Sequence, residues 1–120
     1  MKKVKKSSCK AKGRRLQNWV AQKISEITGY PWGKDQPIEP RQMGQSGSDV
    51  RLEEKVRRVF PFTVECKNQE RWDIPAWIEQ AKKNRYPDTY WLLIVKKNRH
   101  EPIAILDAEV FFDLMELFPR

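Results

Sequence analysis

The apolar run "TYWLLIVK" at residues 89–96 constrains the fold more than any other segment. It is rich in β-branched and aromatic side chains, and it lacks the polar alternation that would leave one face in water. Such a run is typical of a central strand that is covered on both faces. A strand of this kind needs neighbouring strands and packed helices, so we expect an α/β domain.

The rest of the chain supplies those elements. A helix is predicted from Lys12 to Gly29, because apolar residues recur there at spacings of three and four: Leu16, Trp19, Val20, Ile24 and Ile27. Residues 29–48 are rich in Pro, Gly and Ser and are predicted to form a loop. Further strands are predicted at 48–52, 60–67 and 103–106, and further helices at 73–85 and from Asp107 onward.

Aspartates precede both of the later helices. Asp73 and Asp107 are predicted N-caps, because an aspartate at that position accepts hydrogen bonds from free helix N–H groups. The last helix has an apolar stripe of Phe111, Leu114, Met115 and Phe118. A chain of 120 residues is long enough for one domain. We expect a basic disordered arm at 1–11 and a single domain at 12–120.

The net charge of +8 is concentrated near the N-terminus. Residues 1–15 carry eight basic side chains and no acid, whereas residues 16–120 hold 16 basic and 16 acidic ones. A basic arm on a neutral domain indicates a polyanionic partner, most often nucleic acid. The candidate DNA contacts of this segment are Lys10, Lys12, Arg14 and Arg15. A second basic group, which includes Arg71, Lys82 and Lys83, could flank phosphates.

No segment is apolar and long enough to span a membrane, and no secretory h-region follows the basic N-terminus. The two cysteines, Cys9 and Cys66, form no Cys/His cluster, so a zinc site is not expected. These features indicate an intracellular, cytoplasmic protein with no membrane partner.

Glu65 and Lys67 lie at the end of a predicted strand. Because strand side chains alternate, both project from one face, while Cys66 between them points to the other. The pair could be a surface ion pair or the centre of an active site. If strands 48–52 and 60–67 pair, Asp49 lies beside Glu65. Two carboxylates with a carbonyl and water suit Mg²⁺, and Lys67 could orient a water or neutralise a phosphate.

Four segments in this order carry a family resemblance: "KGRR" (12–15), "GQSGSDV" (44–50), "VECKNQE" (64–70) and "IEQAKKN" (78–84). An Asp followed on the next strand by Glu-x-Lys resembles the PD-(D/E)xK nuclease superfamily. The whole set is similar to phage and archaeal-type Holliday junction resolvases. The resemblance implies a restriction-endonuclease-like αβββαβ core, with a mixed central sheet flanked by helices.

The resemblance also implies roles for individual residues. Asp49 and Glu65 would be metal carboxylates, the main-chain carbonyl of Cys66 a further ligand, and Lys67 the catalytic lysine. Gln80 matches a glutamine on the following helix that approaches the water shell of the metal.

The loop and the first helix complete the comparison. Ser46 and Ser48 match a small polar loop that touches the substrate backbone, although Ser48 stands where the superfamily places a proline. Gln17 stands where the resolvases carry a glutamate that helps to hold metal. An amide oxygen could still bind a cation, but it brings no charge.

The function expected by resemblance is a Mg²⁺-dependent endodeoxyribonuclease that cleaves branched DNA such as four-way junctions. Mn²⁺ could replace Mg²⁺, and a homodimer would supply the two cuts. The protein could be phage-encoded and act in the host cytoplasm. A nuclease of the same fold with another substrate (restriction, repair or replication-fork DNA) is one alternative. A second alternative is a non-catalytic DNA-binding protein of that fold. A third is a small α/β protein that binds another partner through its basic arm.

Overall fold

The structure of the chain, a computed structural model, describes residues 6–41 and 47–119. Within these ranges no helix is long and apolar enough to cross a membrane. The elements follow one another as α1 (Lys6–Thr28), β1 (Ile38–Pro40), β2 (Val50–Leu52), α2 (Glu54–Arg57), β3 (Phe62–Asn68), α3 (Ile74–Lys83), β4 (Tyr90–Lys96), β5 (Ile103–Ile105) and α4 (Ala108–Met115).

Strand β4 is the middle strand of a three-stranded mixed sheet of order β3-β4-β5. It runs parallel to β3 and antiparallel to β5. On one face Leu93 and Val95 pack with Trp77 of α3. On the other face Ile94 packs with residues of α1, including Val20. The prediction of a central strand covered on both faces is therefore confirmed.

A second sheet joins β1 and β2 in antiparallel register, with Ile38 opposite Leu52. The loop prediction missed β1, because Pro37 before it and Pro40 at its end suppress any strand signal. Residues 48–52 were also expected to pair with residues 60–67 as neighbouring strands. In the described residues no strand ladder joins these two segments, so that expectation was wrong. One backbone hydrogen bond links the two segments, from Asp49 N–H to the carbonyl of Val64, at 3.1 Å. The α/β, restriction-endonuclease-like class is nevertheless confirmed.

Helix α1 begins at Lys6, six residues before the predicted start. Residues 6–11 are thus helical, in contrast to the disordered arm expected at 1–11, and residues 1–5 of that arm lie outside the described residues. Lys and Ala there favour a helix without giving any apolar period. The helix ends where predicted: Gly29 takes a positive φ of 82°, and its N–H donates to the carbonyl of Ser25 at 2.8 Å. Of the predicted apolar face, Trp19 and Ile27 are exposed.

Both predicted N-caps are confirmed. The carboxylate of Asp73 accepts from the N–H of Ala76, and that of Asp107 accepts from the N–H groups of Glu109 and Val110. The helices differ in packing, however. Helix α3 buries Trp77 on the sheet, whereas α4 contains no buried residue. The stripe expected on α4 exists, but most of it faces solvent.

Candidate active site

Asp49 lies where the loop after β1 enters β2, and β3 holds it in place. Besides its backbone bond to Val64, its carboxylate Oδ2 accepts a hydrogen bond of 2.7 Å from the backbone N–H of Cys66. These contacts are on the edge of β3 that does not pair with β4. The carboxylate is therefore fixed against the strand that carries Glu65 and Lys67.

Glu65 and Lys67 project from the face of β3 that packs on α3. Oε2 of Glu65 accepts a 3.3 Å hydrogen bond from the side-chain amide of Asn84, which follows α3. The ammonium of Lys67 lies 5.9 Å from the ring centre of Trp77 on the same helix. Cys66 packs on the opposite side, with the core cluster that includes α1. The alternation predicted for this strand is confirmed.

The carboxyl groups of Asp49 and Glu65 are close enough for each to affect the pKa of the other. Glu65 is only 3% exposed. Burial, reinforced by the negative charge of Asp49, raises the pKa of Glu65 to about 7. Burial also raises the pKa of Asp49, against the lowering effect of the Cys66 N–H and the Lys67 charge. Two carboxylates with raised pKa values form a site that favours a proton or a cation.

The oxygen atoms of this site suit a hard divalent cation. The N–H of Cys66 points to Asp49, and within a strand the N–H and C=O of one residue share an edge. The Cys66 carbonyl is therefore on the Asp49 side of β3, away from the ladder with β4. A carbonyl and two carboxylates match the donors that Mg²⁺ accepts. In the described ranges no group of three or more His, Cys, Asp and Glu residues gathers here, so water would complete the shell.

Asn84 was not identified from the sequence. It is the C-cap of α3, and its backbone N–H donates to the carbonyl of Gln80 one turn earlier. Its side-chain hydrogen bond to Glu65 lowers the pKa of that carboxyl and so opposes the effect of burial. The sequence does carry a signal for Asn84. It lies at helical spacing after Trp77 and Ala81, and that stripe of α3 faces the sheet.

Arg41 was also missed. Its backbone N–H donates to the carbonyl of Asp49 at 2.8 Å, so the two residues face each other at the base of the hairpin loop. The positive charge of Arg41 lowers the pKa of Asp49. Its guanidinium reaches to 3.9 Å from the position that a side chain at Gly47 would occupy. This register could not be seen from the sequence, because β1 itself was not predicted.

The two predicted glutamines lie in different environments. Gln80 is exposed on α3 and makes no side-chain hydrogen bond within the described part of the chain. It is one turn from Asn84, so it faces the same general direction. Gln17 is 2% exposed and buried on α1. A metal-related role for either residue stays a prediction.

The serine loop is described in part. Ser48 is buried, and its hydroxyl donates to the carbonyl of Val50 at 3.2 Å. Its hydroxyl hydrogen is therefore used within the chain. Ser46 lies outside the described residues.

The predicted DNA contacts are at the surface. The backbone of Lys12 lies against the end of β3, since its carbonyl accepts a 3.2 Å bond from the side chain of Asn68. Lys82 forms an exposed ion pair with Glu79 at 3.7 Å. The other members are exposed: Lys10, Arg14, Arg15, Arg71 and Lys83.

Comparison with protein families gives a match over most of the chain. Residues 8–118 match the sequence model of a family described as "Phage putative PDDEXK endonuclease". The matched range includes every strand and all three motif residues Asp49, Glu65 and Lys67. No curated protein and no solved structure matches the chain.

Proposed function

Because the chain belongs to the phage putative PDDEXK endonuclease family, we propose that it is a metal-dependent endodeoxyribonuclease that hydrolyses phosphodiesters with an activated water. The observation that carries the proposal is the interacting pair of Asp49 and Glu65, with Lys67 on the same strand face as Glu65. Burial beside Asp49 raises the pKa of Glu65 to about 7, and carboxyl groups with strongly raised pKa values concentrate at functional sites.

Asp49, Glu65 and the Cys66 carbonyl would hold the cation, Mg²⁺ with Mn²⁺ as a substitute. When bound, the cation would supply Lewis acidity toward the phosphate and lower the pKa of a water molecule. It would also remove the repulsion between the two carboxylates. Gln17 is proposed as a further, uncharged ligand for a metal or its water.

The other polar side chains of the site would act on the substrate or hold the carboxylates in place. Lys67 would orient the attacking water or neutralise a phosphate oxygen, because its ammonium carries a charge beside both carboxylates. Asn84 would hold Glu65 in one rotamer. Arg41 would balance the charge of Asp49 and offer its guanidinium to a phosphate, a geometry that arginine favours.

The basic residues of α1 and of the 71–83 region would bind the DNA backbone without reading its sequence. The Asn68 contact holds the backbone of Lys12 against the end of β3, which supports Lys12 as one of these contacts. By the resemblance to Holliday junction resolvases, the proposed substrate is four-way or otherwise branched DNA. Paired cuts in opposed strands would then need two copies of the chain, and the site of action would be the host cytoplasm.

The test is cleavage of end-labelled four-way, flap and linear DNA, with Mg²⁺ and with EDTA. Metal-dependent paired nicks in the four-way DNA, in preference to linear duplex, are expected. Equal cleavage of all three would retain the nuclease and remove the branched substrate. DNA binding without any cleavage would identify a non-catalytic protein of this fold.

A further inference from the structure

The turn between β4 and β5 is basic and lies outside the carboxylate site. Residues 96–100 have the sequence "KKNRH", with no acid and three cationic side chains: Lys96, Lys97 and Arg99. Within the described ranges none of these three cations forms an ion pair. Cations without acidic partners at a surface favour contact with an external anion.

The strand register places this turn at the end of the motif strand. In the parallel ladder Asn68, the last residue of β3, is opposite Lys96, and Lys67 is opposite Val95. The N–H of Gln69 donates to the carbonyl of Lys96 at 3.0 Å. The turn therefore begins beside the carboxyl end of β3, and ligands of α/β sheets bind beyond such strand ends.

Lys97 is on the same face of the sheet as Lys67. The ammonium of Lys97 lies 5.5 Å from the ring centre of Trp72, and that of Lys67 lies 5.9 Å from the ring centre of Trp77. Both tryptophans belong to the apolar cluster between the sheet and α3. The charge of the turn is therefore on the side of the sheet that carries the candidate active site.

A second basic segment reaches the same end of β3. The side-chain amide of Asn68 donates to the carbonyl of Lys12 in α1 at 3.2 Å, and α1 packs on the face of the sheet opposite to α3. Beside Lys12 the exposed cations of this helix are Lys10, Arg14 and Arg15. The end of β3 thus lies between two basic segments, one from each face of the sheet.

Contacts within the chain fix the shape of the turn. The N–H of His100 donates to the carbonyl of Lys97 at 3.2 Å, which closes a β-turn. The Nζ of Lys96 donates to the same carbonyl, also at 3.2 Å. The carboxylate of Glu70 accepts a 2.9 Å hydrogen bond from the N–H of Asn98, so this acid holds the backbone of the turn. A turn that is ordered in advance loses little entropy on binding.

Arg99 occupies a backbone conformation that other residues adopt at lower cost. Its φ is 64°, in the left-handed region that favours glycine and asparagine at the third position of a turn. Its exposed side chain makes no hydrogen bond, ion pair or ring contact within the described residues. Strain that no internal contact offsets points to a use of the guanidinium outside the chain.

We propose that the β4–β5 turn binds the phosphate backbone of the DNA arm that leads away from the carboxylate site, with Arg99 as its principal contact. A guanidinium donates two parallel hydrogen bonds to one phosphate, and Lys97, held over Trp72, adds a second charge. The duplex arm lies between this turn and the N-terminal half of α1. The proposal rests on the proposed function for its DNA substrate, but not for cleavage.

The test measures DNA affinity by anisotropy across a salt series, with labelled four-way and linear duplex DNA, in EDTA so that the DNA stays intact. Arg99→Gly should weaken binding to both DNAs and lower the slope of log affinity against log salt by about 1, which corresponds to one phosphate contact. Because glycine accepts a positive φ, its melting temperature should equal or exceed that of the wild type.

Lys97→Gln is a second variant, which leaves the backbone of Arg99 unchanged and should lower the slope in the same way. Wild-type slopes in both variants would overturn the proposal, as would a wild-type chain that does not bind DNA.

Two matched controls separate charge from backbone strain. Arg58→Gln removes an exposed cation that pairs with Glu54, away from the turn, and should keep the wild-type slope. Asp35→Gly relieves a similar φ, 61°, without removing a cation, and should bind DNA at least as well as the wild type. A loss of slope in Arg58→Gln equal to that in Arg99→Gly would overturn a specific role for the turn.

Cleavage with Mg²⁺ separates this proposal from the proposed function. If the wild type binds DNA without cleaving it and Arg99→Gly binds more weakly, the turn is supported and the nuclease is refuted. If the wild type cleaves DNA and both turn variants bind like the wild type, the turn alone is refuted.

Discussion

The backbone N–H of Cys66 donates a 2.7 Å hydrogen bond to the carboxylate of Asp49. This bond fixes an acid that immediately precedes β2 of the second sheet beside the Glu65–Lys67 segment of the first. A strand ladder is therefore unnecessary for bringing the two carboxylates together. The geometry of the site depends on the side chain of Asp49, which reaches from the start of β2 to the backbone of β3.

The first prediction concerns Lys67 and Glu65. Lys67→Ala and Glu65→Ala should each lower metal-dependent cleavage by at least about 100-fold, because loss of one preorganised charge costs that much in other enzymes. DNA affinity, measured by anisotropy, should change little. Lys55→Ala is the control, since Lys55 is exposed and its contacts are with Glu53 and the ring of Tyr30 rather than with the site. Cleavage within a few-fold of wild type would reject the site.

The second prediction concerns pH and stability without metal. The pKa of Glu65 rises from 4.5 to about 7 in the folded chain. Between these values the folded chain keeps a proton that the unfolded chain releases. The free energy of unfolding should therefore fall as pH rises from 4.5 to 7, by up to about 3 kcal/mol.

Urea unfolding in EDTA at a series of pH values measures this effect. Below pH 4.5 both states are protonated and the penalty is absent, whereas above pH 7 it is complete. Glu65→Gln should flatten the slope, because it cannot titrate. A wild-type slope equal to that of the variant would contradict the raised pKa.

The third prediction separates Asn84 from Gln80. Asn84→Ala removes the hydrogen bond to Glu65 and should raise the pKa of that carboxyl further, which moves the acidic limb of the cleavage profile to higher pH. Asn84→Asp should be worse, since it adds a negative charge beside the pair. Gln80→Ala, one turn earlier on the same helix, should leave the limb in place. A shift with Gln80→Ala and none with Asn84→Ala would restore the role expected for Gln80.

The fourth prediction concerns Arg41. Arg41→Gln should weaken DNA binding and cleavage by roughly tenfold, as expected for one charged hydrogen-bonded contact. Arg41→Lys should recover only part of this, because an ammonium cannot form two parallel hydrogen bonds to a phosphate. Arg58→Gln is the control: Arg58 is exposed and pairs with Glu54. Full activity in Arg41→Gln would mean that the Arg41 guanidinium contributes only to the structure of the β1–β2 hairpin and not to DNA binding or cleavage.

The fifth prediction concerns the N-terminal charges. Deleting residues 1–11 removes five lysines and should weaken DNA binding while flattening its dependence on salt. Anisotropy titrations across a salt series measure the slope. Since α1 begins at Lys6, a thermal melt must show that the shortened helix still folds. An unchanged slope would remove this segment from the DNA interface.

Periodicity was sufficient for the long elements. The alternation of residues 60–67 placed Glu65 and Lys67 on one face, and the apolar run of 89–96 identified the middle strand. Both results follow from local geometry, which a single sequence carries. The caps Asp73 and Asp107 were found for the same reason.

Contacts between distant segments were harder to predict. Nothing in the sequence alone marks Arg41 or Asn84 as part of the site. Arg41 can be assigned only from the β1–β2 register, and Asn84 only from the position at which α3 ends. The three-residue β1 is too short, and too rich in proline, to leave a pattern. Periodicity predicts which side of a helix is apolar, but not how far the neighbouring elements extend to cover it. It therefore could not predict the exposure of Trp19, Ile27 and the α4 stripe.

The bond between Asp49 and Cys66 has one further consequence. An amide held by a side chain exchanges its hydrogen with solvent whenever that side chain leaves. The exchange rate of the Cys66 amide, followed by NMR, therefore reports how often the two sheets separate at the site. A bound divalent cation should slow that exchange, so one resonance would record both assembly of the centre and its occupancy.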